Sequence, residues 1–267
     1  MAHTGPARRT RAASAFRRMS PELAADAENR LGRSEAVAFL ARLETGLIDL
    51  YDPLDAVYGD RHDTDALMER LVRVALAAAE ARPADLRELD RRREIDRDWY
   101  QRARMVGYVC YADRFCGTLR DLPERLPYLE ELGVTYLHLM PLLRPRPGEN
   151  DGGYAVMDYR EVDPRLGTMD DLSAVADALR ERGMSLCVDL VLNHTAQEHP
   201  WARGWLAGDP AYENFYLAFD DREMPDAYER TIVPVFPDRA PGSFTFHEGI
   251  GRWVWTTSRS WAPPTCT

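Results

Sequence analysis

After Arg104 the chain alternates in a way that leaves few folds open. An apolar, β-branched and aromatic run (MVGYVCYADRF) is followed by a short helical pattern (PERLPYLEELG) that Gly133 stops, and then by a second apolar run (VTYLHLMPL). Beyond a long polar loop, Thr168-Met169-Asp170-Asp171 forms a capping box. It opens a helix with Leu172, Val175, Ala176 and Leu179 on one face, ended by Gly183, and MSLCVDLVLNH is a third apolar run. Strands that are apolar almost throughout and are separated by helices pair in parallel, with helices covering at least one face. A doubly wound sheet and a (β/α)8 barrel both satisfy this pattern. No G-x-G-x-x-G follows the first strand, only DRFCGTLRDL, which argues against a dinucleotide-binding sheet. Polar residues collect where strands end: Asp113-Arg114, Asn150-Asp151 and Asn193-His194. In a barrel that edge is where active sites are built.

The preceding part has a different texture. Residues 20–103 read as a helical domain. Ser20-Pro21 and Ser34 are expected to start helices, with Val37, Leu40, Leu43, Leu47 and Tyr51 forming one stripe. Asp63 starts a third helix with Leu67, Leu71, Val74 and Ala78 on its inner face, and Pro83 opens a fourth with Leu86, Leu89 and Ile95 inward. The interleaved charges of the fourth helix describe a solvated face. Residues 1–19 carry five Arg but no apolar h-region, so they read as a loose basic arm and not an export signal.

Charge and cysteine usage narrow the partners. With 44 acidic against 34 basic residues the net charge is −10, so nucleic acid and anionic membrane are repelled. Every basic residue is Arg, which removes chemistry that needs a Lys. Four Cys without C-x-x-C spacing fit isolated thiols in a reducing cytoplasm, and no apolar run is long enough to span a membrane. The expected partner is a small molecule.

Asp189-Leu190-Val191-Leu192-Asn193-His194 resembles the third-strand motif of the α-amylase family of glycoside hydrolases and transglucosidases. The loop PRPGENDGGYAVMDYREVDPRLGT and the stretch RTIVPVFPDRAPGSF…GRWVWTT resemble, more narrowly, the amylosucrases, which also begin with an all-helical domain. The resemblance implies a partial (β/α)8 TIM barrel over residues 104–194, comprising its first three strands, and an inserted loop domain over 195–257. It implies retaining transfer of glucose from sucrose to an α-glucan, through an oxocarbenium-like state and a covalent glucosyl–carboxylate intermediate. In that setting His194 would bond hydroxyls of the glucosyl ring and Tyr154 would stack beneath it. Asp151 would close the pocket bottom with an Arg that this sequence does not reach, and Phe236 would line the fructosyl or acceptor side. Asp189, inside the strand, reads as a buried structural carboxylate and not as a catalyst. Neither cofactor nor metal is implied: Asn193 binds calcium in many family members, but amylosucrases do without it. Sucrose hydrolysis, another glycosidase activity of the family, and a noncatalytic carbohydrate-binding remnant are the alternatives.

The family's nucleophile Asp lies on the fourth strand and its acid/base Glu on the fifth, and neither is found here, so no catalytic carboxylate is assigned. A whole barrel takes roughly 250 residues, more than follow Arg104. After Thr257 the amylosucrase-like pattern gives way to SRSWAPPTCT, a departure at residues 258–267 that suggests a shifted reading frame. The 267-residue chain is therefore expected to turn over no sucrose, and three strands without barrel neighbours are expected to be marginally stable.

Overall fold

The computed structural model describes residues 6–60, 62–148, 151–233 and 242–256, and divides the chain into two compact units, Met1–Arg97 and Asp98–Thr267. Among the described residues the first unit holds four helices: α1 (Pro6–Leu31), α2 (Arg33–Tyr58), α3 (Thr64–Ala81) and α4 (Ala84–Ile95). Residues 6–19 are not a loose arm but the first half of α1. Ala12, Ala15, Leu23 and Ala27 are buried, and the small residues let α1 approach its neighbours closely. Arg11 pairs with Asp55, and Arg18 with Asp65, so the basic residues anchor the helix. Ser20 therefore caps nothing. Its hydroxyl donates to the Phe16 carbonyl, and Pro21 sits within α1. Ser34 likewise lies inside α2, which begins after Gly32.

Asp63 caps α3 as its sequence implies, accepting from the backbone N–H groups of Asp65 and Ala66. The buried face of α3, however, is Thr64, Met68, Val72 and Leu76. Leu71 and Val74, expected inside, are exposed, as is Val37 on α2. The segment TDALMERLVRVALAAAEA carries apolar residues on two faces, so spacing alone cannot select the packed one. Ile95 is also corrected: it ends α4 at 89% exposure.

The second unit is built on a parallel sheet of three strands in the order β1 (Gly107–Cys110), β2 (Tyr136–Leu139), β5 (Ser185–Val188). Register aligns Tyr108 with Leu137 and Leu186, and Val109 with His138 and Cys187. Because side chains alternate across a strand, these two rows face opposite ways. After β1 comes the short helix α5 (Ala112–Phe115), and the first row packs under two later helices, α6 (Leu126–Glu131) and α7 (Met169–Glu181), in a core containing Leu122, Leu126, Leu129, Leu137, Leu139, Val175 and Leu179. The second row is open, and Val109 is 60% exposed. Such a one-sided sheet is what the first strands of a barrel present.

Local punctuation follows the sequence closely in this unit. Thr168 and Asp171 form the reciprocal capping box at the start of α7, and Gly133 and Gly183 take the left-handed conformation just past their helices. Between β2 and α7 the chain makes an antiparallel pair, β3 (Leu143–Pro145) and β4 (Val156–Val162). After β5 a smaller layer follows. There β6 (Ala218–Phe219), β8 (Arg252–Trp255) and β7 (Phe244–His247) form an antiparallel sheet in that order, with Trp205, Ala202 and Val254 at its core.

Candidate active site

The turn before β4 is dictated by Asp151-Gly152-Gly153-Tyr154. Asp151 Oδ1 accepts the backbone N–H of Ala155 at 2.7 Å, closing the turn with a side chain, as Asp commonly does. Gly152 and Gly153 have φ of 81° and 96°. A β-carbon at Gly152 would lie 2.8 Å from the Tyr111 hydroxyl, and one at Gly153 would lie 3.0 Å from Cβ of Pro141. Both positions favour glycine for conformation, and Gly153, facing Pro141, also for space. Their effect is to deliver Tyr154 to the C-terminal edge of the parallel sheet.

There Tyr154 meets Asp189, the residue that follows β5. The Tyr154 hydroxyl donates to Asp189 Oδ2 at 3.1 Å, while Asp189 Oδ1 lies 2.9 Å from His138 Nε2. A carboxylate only accepts, so His138 carries its hydrogen on Nε2. Burial, with the hydrogen bond to Asp189 next, pushes the Tyr154 phenol up to about 12. Tyr154 is thus a neutral ring with a committed hydroxyl and contributes no proton at neutral pH.

The segment from Asp189 to His194 is held by β4. The Tyr159 hydroxyl donates to the Val191 carbonyl at 2.6 Å, and Ala196 N–H donates to the Val156 carbonyl at 2.8 Å. Thr195, buried, bonds the Tyr216 hydroxyl at 2.7 Å. These anchors fix His194 on both sides. Its Nδ1 lies 3.2 Å from the Asn193 side-chain nitrogen, which donates to it, so the ring hydrogen of neutral His194 sits on Nε2. That Nε2 is buried and has no hydrogen-bond partner. An unsatisfied buried donor costs about 1–3 kcal/mol, a cost that an oxygen of a bound molecule would remove.

Of the residues singled out from sequence, Asp151 and Tyr154 share one turn, and Tyr154 is tied to the start of the segment that ends at His194. Among the described residues no hydrogen bond links His194 to Tyr154 or Asp151. Phe236 and residues 258–267 lie outside the described residues. His138 and Tyr111 were not singled out. The signal for His138 was a lone polar residue in the apolar strand YLHL, whereas Tyr111 carried none. Asp189, expected to be buried inside the strand, instead follows β5, is only partly buried and is shared between two ring side chains.

The family "Alpha amylase, catalytic domain" matches residues 83–254. A trehalose synthase of Pimelobacter sp. (strain R48) is 36% identical over 140 residues, covering 52% of this chain and 23% of that protein. An oligo-1,6-glucosidase of Parageobacillus thermoglucosidasius is 34% identical over 131 residues, covering 46% and 23%. The chain thus spans about a quarter of the length of these relatives. Among solved structures, a MutB variant in complex with glucose superposes with a TM-score of 0.50 at 26% identity, over 60% of this chain and 28% of that one.

Proposed function

The chain belongs to the alpha-amylase family, and from that premise we propose that it forms one wall of the glucosyl pocket of an amylosucrase-like retaining glucosyltransferase acting on sucrose. The observation that carries this reading is a neutral aromatic ring, Tyr154, tied to Asp189 just past β5, with a buried unsatisfied donor, His194 Nε2, at the far end of the segment that Asp189 begins. A pyranose offers an apolar C–H face and a rim of hydroxyls. Tyr154 stacks against the first, and His194 Nε2–H donates to the second. Asp151 closes the floor of the pocket, and Phe236 lines the side that receives fructose or the acceptor. The Asp–Gly–Gly–Tyr loop and the downstream VFPD…WVWTT stretch favour sucrose as donor.

The reaction needs a nucleophilic carboxylate and a general acid about 5–5.5 Å apart. The family resemblance puts both on strands four and five, whereas the parallel sheet described here has three. The residues described here are accordingly assigned the binding of the glucosyl unit and no bond-breaking role. A second reading, an α-glucoside of trehalose or isomaltose type as substrate, is favoured by the 36% and 34% identities to a trehalose synthase and an oligo-1,6-glucosidase.

Calorimetric titration of the 267-residue chain with sucrose, trehalose, maltose and isomaltose separates these readings. Saturable binding strongest for sucrose, weakened about tenfold or more by Tyr154→Ala and by His194→Ala, supports the proposal; tenfold corresponds to about 1.4 kcal/mol. Strongest binding of trehalose or isomaltose selects the second reading. Release of glucose or fructose by a homogeneous preparation contradicts the assignment of a binding wall without its own catalytic carboxylates.

A further inference from the structure

A stacking platform works only if its ring is held in place, and the Tyr154 ring is not held by its backbone alone. Three features of the sheet edge bear on this. Asp189 follows β5 directly, and alternation puts its side chain on the open face with His138 and Cys187, whose Cα positions are paired across β2 and β5. Both of its oxygens are engaged, Oδ2 by the Tyr154 hydroxyl at 3.1 Å and Oδ1 by His138 Nε2 at 2.9 Å. Tyr154 itself hangs from a turn containing two left-handed glycines, which fixes the backbone but not the ring.

We propose that Asp189 is a positioning residue: seated by His138, it holds Tyr154 by its hydroxyl so that the ring presents its face to a hexose. The proposal rests on the reading of Tyr154 as a sugar platform. It makes Asp189 act through Tyr154, since each carboxylate oxygen already accepts from a ring donor. The Tyr154 hydroxyl is equally committed. Burial and this bond together raise its phenol to about 12, so the contact persists across the neutral range. Tyr111 and Asp151 add to the same elevation by their charge when ionised.

His138 supplies the direction. It lies on the central strand of the sheet, where backbone hydrogen bonds on both sides leave it little freedom, and it donates to Asp189 from Nε2. An N–H donor at this position orients the carboxylate plane, and the carboxylate in turn orients the phenol. Gln can supply a comparable N–H, whereas Leu cannot.

The test uses the full chain, isotope-labelled on tyrosine, with the NMR signal of the Tyr154 ring carbon bearing the hydroxyl (Cζ) identified by its loss in Tyr154→Phe. Asp189→Asn is expected to shift that signal and to weaken glucoside binding about tenfold, the size of one hydrogen bond to a charged group. In the Tyr154→Phe background the same substitution is expected to change binding less than about twofold, because the contact through which it acts is gone. His138→Gln is expected to stay within about twofold of the parent in binding, and His138→Leu to match Asp189→Asn. Circular dichroism confirms that each variant is folded. An unmoved Cζ signal in Asp189→Asn overturns the proposal, as does an equal loss of binding with and without the Tyr154 hydroxyl. Absence of glucoside binding by the parent chain, with the Cζ shift still present, overturns the sugar reading instead and leaves the hydrogen bond demonstrated.

Discussion

Replacing Gly153 by Ala separates what the backbone of the Tyr154 turn requires from what its surroundings require. At φ 96° an L-residue is strained, by about 1–2 kcal/mol for the left-handed region in general. The new methyl would also lie 3.0 Å from Cβ of Pro141 and 3.3 Å from its carbonyl oxygen, both parts of a ring-constrained residue that cannot rotate away. Overpacking of that kind adds about 1–3 kcal/mol. The expected loss is therefore roughly 2–5 kcal/mol, a large share of the ~5–15 kcal/mol that holds a typical domain together. Gly183→Ala is the control, since its φ is 72° and a β-carbon there would meet nothing within 4 Å. It should lose only the conformational part, about 1–2 kcal/mol. Urea unfolding followed by tryptophan fluorescence reads the right unit, because all six Trp lie in Asp98–Thr267. Losses for the two variants that agree within about 0.5 kcal/mol would refute the claim that Pro141 confines this turn.

Leu137, fully buried on the central strand, should cost about 2–5 kcal/mol when changed to Ala, measured by the same unfolding curve; a loss under about 1 kcal/mol would mean the sheet's covered face is not a packed core. Thr168→Ala removes the cap of α7 and should cost about 1 kcal/mol in the same measurement. The capping box also has a pH signature. Arg120 and then Thr168 hold the Asp171 carboxyl down at about 2, so its contribution is complete above the ordinary carboxylate value and is lost as pH falls toward 2. The stability gap between the parent and Asp171→Asn should shrink over that interval, and a gap independent of pH would contradict the assignment.

What could be read from the sequence is uneven for physical reasons. The parallel strands, the capping box at Thr168 and the glycine stops at Gly133 and Gly183 were legible because each is a short-range requirement written at fixed spacing. In the helical unit the elements were legible, but their orientation was not. The α3 segment offers two apolar stripes, and Met68, Val72 and Leu76 were chosen over Leu71 and Val74 by packing within the unit. The first helix was missed for a related reason. Its Arg residues read as solvated until Asp55 and Asp65, more than forty positions away, supply their partners. The site shows the same division. Asp151 and Tyr154 stand out in a glycine turn, whereas the value of His138 and Asp189 comes from strand register, which brings residues 51 positions apart to 2.9 Å.

The most direct measurement of the central claim is a crystal structure of this chain soaked with sucrose. The account predicts the glucosyl ring lying on the Tyr154 ring with carbon contacts of about 4 Å, and His194 Nε2 donating to one of its hydroxyls. A sugar bound elsewhere on the chain, with Tyr154 bare and His194 Nε2 still unpartnered, would contradict it.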